Sequence, residues 1–244
     1  MLTVQFIGSG DAFGSGGRFQ ACISLRSAQM HVLLDCGASS LIALKRLELA
    51  PTSIDAVIVS HLHGDHFGGI PFLVLDQQFA RRHHPLLIAG PPGVRERVLQ
   101  AMEILFPGSS GVERQFELRF VELVERVPTS LGAAVVTAYE LVHASGAPAY
   151  GLRLACDERL ISYSGDTEWT DALVQLADGA DLFICEAYAF EKAIRYHLSY
   201  ATLTQHRDRL RCRRLVLTHM STDMLQHLSA IEAELAEEGR LLTV

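Results

Sequence analysis

The stretch Ser60-His61-Leu62-His63-Gly64-Asp65-His66-Phe67-Gly68-Gly69 decides how the chain is read. It sets four metal-capable side chains, His61, His63, Asp65 and His66, directly behind the apolar run Val57-Ile58-Val59. A buried strand ending in a glycine-containing loop is where an α/β protein gathers side chains from a rigid frame into one crevice. His61 and His63 are two apart, so extended backbone turns them to one side. Asp65 and His66 are adjacent and are expected to point different ways, so the loop suits two neighbouring metals better than one. Imidazole combined with carboxylate fits zinc, manganese or iron. A histidine-rich surface loop is the plain alternative, but few other needs place four ligands at this spacing after a buried strand.

Outward from that loop, the composition sets bounds. The chain has 244 residues, 49% of them apolar, enough for a sizeable core. No composition break, low-complexity stretch or long polar linker divides it, so one domain over residues 1–244 is expected. No apolar run is long enough for a membrane span. The opening Met1-Leu2-Thr3-Val4-Gln5-Phe6 already alternates like a strand, and no secretory signal is read there. The five cysteines, Cys22, Cys36, Cys156, Cys185 and Cys212, form no C-x-x-C pair. Reduced thiols and a cytoplasmic location are the expectation. The formal net charge of −7 disfavours non-specific binding to nucleic acid.

Periodicity predicts strands at about 3–8, 21–26, 31–35, 55–60 and 85–89, with helices at about 39–48 and 91–106. Residues 116–121, 133–142, 149–156 and 159–164 read as strands, the last two joined by a tight turn at Asp157-Glu158. Beyond them helices are expected at 168–176, 202–211 and 223–237, and strands at 181–185 and 215–218. Sheet-rich segments interleaved with helices, repeated in two halves, imply two packed sheets with helices outside.

The H-x-H-x-D-H loop resembles the signature of the metallo-β-lactamase superfamily, and the chain is similar to that family throughout. The resemblance implies an α/β fold, a four-layer αββα sandwich, and three further ligands at later strand ends. The matching positions are His143 in Leu141-Val142-His143, Asp166 in Ser164-Gly165-Asp166-Thr167 and His219 in Leu217-Thr218-His219. By resemblance, one divalent ion is held by His61, His63 and His143 and the second by Asp65, His66 and His219, with Asp166 bridging. Zinc is the first expectation, with manganese or iron as alternatives. Two such ions lower the pKa of a shared water, so hydroxide is available near neutral pH, and polarise the oxygen under attack.

Within the superfamily the chain most resembles the tRNase Z-like and phosphodiesterase branch. The opening Phe6-Ile7-Gly8-Ser9-Gly10-Asp11-Ala12-Phe13-Gly14-Ser15-Gly16-Gly17-Arg18 is similar to that branch's first strand and glycine-rich loop. Glu186-Ala187 lies in a segment like its H-E-A-T, with Cys185 and Tyr188 replacing the outer residues. His197-Leu198-Ser199 is similar to its H-S-T. The resemblance implies that Glu186 orients His197 and that His197 protonates the leaving alcohol, with Asp65 also at the catalytic centre; an imidazole oriented by a carboxylate suits that task. One departure stands out. The branch's tRNA-gripping arm falls between the positions of His143 and Asp166, and here that interval holds two strands and a hairpin. The expected substrate is therefore a small or cyclic phosphodiester, with no membrane or nucleic-acid partner; a homodimer is compatible. The alternative is a carboxylic-ester, thioester or lactone hydrolase on the same metal pair. Behind these stand a tRNA 3′-processing endonuclease and a non-catalytic binding protein, the latter disfavoured because all seven ligand positions are filled.

Other features take a plainer reading. Arg81-Arg82-His83-His84 reads as a solvated helix end. Arg207, Arg209, Arg211, Arg213 and Arg214 are spread around a helix and form no single patch. The glycines at 8, 10, 14, 16 and 17 lack G-x-G-x-x-G and a following Lys-Ser/Thr, so they read as tight turns and not as a nucleotide cradle.

Overall fold

The computed structural model describes residues 1–244. The chain runs β1 (Thr3–Gly8), β2 (Cys22–Arg26), β3 (His31–Leu34), α1 (Ser40–Arg46), β4 (Ala56–Ile58), α2 (Gly64–Phe67), α3 (Ile70–Phe79), β5 (Leu86–Gly90), α4 (Val94–Leu105) and β6 (Leu118–Glu122). It continues with β7 (Thr129–Leu131), β8 (Ala134–Leu141), β9 (Ala149–Cys156), β10 (Arg159–Tyr163), α5 (Ala172–Ala177), β11 (Leu182–Glu186), α6 (Tyr200–Gln205), β12 (Leu215–Thr218), α7 (Thr222–Leu225), β13 (Glu234–Leu235) and β14 (Leu241–Thr243). One sheet has the order β14-β1-β2-β3-β4-β5-β6, the other β13-β12-β11-β10-β9-β8-β7. Each half thus repeats one plan, an antiparallel meander that turns into parallel strands.

Period-two side chains decide the layers. In β4, Ala56 and Ile58 enter the core between the sheets, while Val57 enters the core under α1, α3 and α4. In the second sheet, Ile184 faces inward, whereas Phe183 and Cys185 face the core under α5, α6 and α7. Three stacked apolar layers separate four layers of backbone, the αββα sandwich. Each fully buried Leu, Ile or Phe contributes about 1.5–3 kcal/mol against remaining exposed. No helix is long and apolar enough to cross a membrane.

The expected strands and their order hold, with several departures. Helices α2 and α3 lie where none was predicted, and the helix predicted over 202–211 ends at Gln205 and gives way to a short 3-10 turn over Arg207–Arg209. The helix predicted over 223–237 is only α7, followed by a short 3-10 turn and β13. Ala, Glu and Leu favour helix there, but Ile231, Ala233 and Leu235 also alternate, and pairing with the edge of β12 prevails. The helix predicted from 168 begins at Ala172, and Glu168 instead accepts a hydrogen bond from the Tyr196 backbone N–H (2.6 Å). The short strands β7 and β14 were not expected. They lie at sheet edges, where pairing and not pattern makes the strand. The Asp157-Glu158 turn is present, with both residues at positive φ (51° and 59°), as a two-residue I′-type hairpin requires.

Candidate metal centre

Parallel register brings the site together. Leu34 pairs with Ile58, Tyr163 with Ile184, and Glu186 with Thr218. The C-terminal ends of β3, β4, β8, β10, β11 and β12 therefore open onto one rim, and the residues just past them are Asp35, His61, His143, Asp166 and His219, with Glu186 ending β11. Gly165, at φ 57°, makes the bend before Asp166; a Cβ there would stand 2.9 Å from the Ser60 side chain. Only a glycine lets the two sheets' loops approach this closely.

The rim gathers seven predicted ligands into two clusters. His61, His63 and His143 form one. His143 Nε2 and His63 Nδ1 are 3.0 Å apart, and the other nitrogen of His143 donates to the Tyr196 carbonyl (2.8 Å). Asp65, His66, Asp166 and His219 form the other. There His66 Nε2 lies 3.2 Å from both Asp65 Oδ2 and Asp166 Oδ1, and His219 Nε2 lies 3.3 Å from Asp65 Oδ2. Asp166 divides between them: Oδ1 faces His66 and His219, while Oδ2 is 3.9 Å from the Nε2 atoms of His61 and His143. Asp65 and His66 do not diverge as expected. They lie on the single turn α2, where neighbours are about 100° apart and not opposed, so both reach one point.

Several buried polar atoms here have no hydrogen-bond partner: His61 Nε2, His66 Nε2, Asp166 Oδ1 and His219 Nδ1. Orphaned donors and acceptors are rare in protein interiors; His219 Nδ1 points toward Glu186 at 3.6 Å, and the other three fit a donor set facing a cation. The electrostatics agree. Burial, and then the neighbouring His66, push His61 well below the usual imidazole range. Burial alone would also depress His66 and His219, but the Asp166 carboxylate and its neighbours outweigh it; His66 is held well up and His219 is pushed up to about 10. Without a metal, protons on these rings balance Asp65 and Asp166, both held well below the carboxylate range by His66 and His219 against the opposing effect of burial. A site that traps positive charge in this way can hold a metal pair.

Glu186 and His197 adjoin the second cluster. His197 Nδ1 donates to Glu186 Oε1 at 2.6 Å, and Glu186 Oε2 accepts from the Leu198 and Thr167 backbone N–H groups (2.8 and 3.3 Å). Burial would lower His197, but the Glu186 hydrogen bond raises it. Tyr188 stacks on its ring, centroids 4.3 Å apart.

The sequence reading missed Asp35, fully buried behind His66. It accepts from His66 Nδ1 (2.6 Å), Ser60 N (2.7 Å), Ser60 Oγ (2.8 Å) and Tyr163 Oη (2.8 Å), which fixes the ring so that Nε2 faces the cluster. Its one sequence signal was a carboxylate ending an apolar strand. Arg82 turns out to be neither solvated nor near the rim: its buried guanidinium donates to the His84, Pro85 and Thr52 carbonyls. Arg209, Arg213 and Arg214 pair with Asp171, Asp181 and Glu234.

The family model of the anti-Pycsar protein Apyc1 matches residues 2–241. Ribonuclease Z of Anoxybacillus flavithermus is 27% identical over 279 aligned positions, covering 91% of this chain and 87% of the ribonuclease. That alignment is longer than the chain itself, so the ribonuclease carries insertions this chain lacks. The short form of human tRNase Z superposes with a TM-score of 0.80 at 27% identity, covering 99% of both chains. The metallo-β-lactamase fold protein YhfI of Bacillus subtilis also reaches 0.80, at 20% identity, over 99% of this chain and 98% of its own. The chain belongs to the family of the anti-Pycsar protein Apyc1 and is a metal-dependent hydrolase of the metallo-β-lactamase fold.

Proposed function

We propose that this metal-dependent phosphoesterase hydrolyses a small or cyclic, nucleotide-like phosphodiester. The observation that carries the reading is the position of Asp166, Oδ1 toward His66 and His219 and Oδ2 3.9 Å from His61 and His143, with the Glu186–His197 pair beside it. His61, His63 and His143 would hold one divalent ion, and Asp65, His66 and His219 the other, with Asp166 shared and zinc the metal its donors suit best. When bound, such ions supply Lewis acidity and an activated water. The chain's own residues supply the rest. Glu186 holds His197 by Nδ1, leaving Nε2 to face the substrate, and the raised pKa keeps a proton available there for the departing alkoxide. The small substrate follows from what surrounds the site. Between His143 and Asp166 lie β9, β10, their two-residue turn and short connecting segments, and the chain is acidic, which gives a long polyanion no broad handle.

The test is a substrate panel with added zinc or manganese: cyclic nucleotides, alkyl and aryl diesters, carboxylic esters, thioesters, lactones and a precursor tRNA. The expected outcome is turnover of small diesters ahead of every other class. Faster turnover of the esters or lactones, or tRNA 3′ cleavage at physiological salt, would overturn the reading. His197→Ala should retain its metal and lose roughly 10²–10⁴-fold on an alkyl-leaving diester, but much less on bis-nitrophenyl phosphate, whose leaving group needs no proton. Equal losses on both would reassign His197 to positioning.

A further inference from the structure

Phe13 is a large apolar side chain left in the open, 85% exposed. Flexibility does not explain it, because the loop beneath is tied down. The buried Asp11 carboxylate accepts from the backbone N–H groups of Phe13 (3.2 Å) and Ser15 (2.9 Å) and from the Ser15 hydroxyl (2.8 Å). The ring is held out over a cavity of about 340 Å³, whose other walls include Tyr188, Ile194 and Lys192. No other aromatic ring packs on Phe13, whereas Tyr188 stacks on His197. The residue stacked on His197 therefore also lines this cavity, together with Phe13.

We infer that Phe13 and Tyr188 form a stacking subsite for a flat heterocyclic base, carried on the leaving-alcohol side of the diester. The inference rests on the proposed role of His197, because the leaving group would then lie on the side of the site where Tyr188 stacks on that ring. The cavity is large enough for a base, and rings stack on exposed aromatic faces whatever the base identity, so the subsite selects for a nucleoside without reading its sequence. Lys192 does not compete for the phosphate, since it is paired with Asp223 at 2.7 Å.

The experiment compares two substrates in the metal-loaded enzyme: a nucleoside cyclic diester and a dialkyl-type diester without a ring. Phe13→Ala removes an exposed ring and should fold normally. It should cut kcat/KM on the nucleoside diester roughly tenfold, mainly through KM, and leave the ring-free diester unchanged, while Phe13→Trp retains or improves the nucleoside activity. Fluorescence quenching of a 2-aminopurine nucleotide should weaken in the same order. Equal effects on both substrates, or a change of oligomeric state with unchanged KM, would overturn the subsite while leaving the diesterase reading intact. Failure of the wild type to cleave either diester would instead sink the diesterase reading.

Discussion

The two ligand clusters differ in how the protein surrounds them. His61, His63 and His143 bring only imidazoles, and His63 is partly open to solvent. Asp65, His66, Asp166 and His219 are all buried, carry two carboxylates, and have Asp35 behind them, itself holding Ser60 and Tyr163. One cluster is an all-imidazole set open on the His63 and His143 side; the other is an enclosed one with two carboxylates. The difference implies unequal affinities. A dication gains most where two buried carboxylates already face it and where the rings cannot turn away. The proposed pair should therefore consist of a tightly held ion and a more exchangeable one on the open side.

The largest expected effect comes from Asp166, which sits in the enclosed cluster and faces the imidazole set from 3.9 Å. Asp166→Ala should lose both metal equivalents, by elemental analysis, together with nearly all activity, because the buried imidazoles of His66 and His219 lose the carboxylate opposite them. Retention of one full equivalent would show that the clusters bind independently, and the comparison would then need no shared carboxylate.

Asp35→Asn separates the clusters more gently. Its side chain keeps the shape but removes the charge and sets an amide against four donors. Affinity at the enclosed cluster should weaken about 10- to 100-fold, and stability should fall by about 1–3 kcal/mol, read from a chelator titration and a urea melt. In the wild type the chelator should remove metal in two steps, and Asp35→Asn should move only the tighter one. A shift confined to the weaker step would reverse the proposed order of affinities.

How much of this was legible in the sequence follows the same division between local and distant. The His61–His66 loop is a local pattern, four ligand types behind one apolar run, and residue spacing alone points to a metal site. His143, Asp166 and His219 each end a strand, but nothing in their spacing joins them; family resemblance placed them, and the register of two sheets explains why they meet. Asp35 went unread because a lone Asp after a strand is common and its role depends on His66 approaching from a segment about thirty residues on. The failed helix over 223–237 has a related cause: local propensity favoured helix, and a long-range pairing with β12 decided otherwise. Arg82 looked solvated because its three carbonyl partners come from a neighbouring turn and its own following residues, which no pattern of charges reveals.

The smallest expected effect tests whether the Glu186–His197 pair, next to the enclosed cluster, works on protons and not on metal. The Glu186 carboxylate raises the His197 pKa against the lowering effect of burial. A raised imidazole pKa has a definite sign. The stabilisation of the charged ring is fully present below the unfolded value of about 6.5 and is lost as pH rises through the folded value. The same titration removes the acid, so kcat/KM on an alkyl-leaving diester should fall on the alkaline side as His197 deprotonates, whereas bis-nitrophenyl phosphate should show a weaker limb or none. Glu186→Gln removes the charge that raises the pKa while keeping a carbonyl to accept from Nδ1. It should move the alkaline limb to lower pH on the alkyl substrate, with metal content unchanged. A limb that stays in place would mean that it reports another group, such as the activated water. Loss of metal in Glu186→Gln would place the carboxylate in support of His219, whose Nδ1 lies 3.6 Å from Glu186 Oε1, and would extend the enclosed cluster by one more residue.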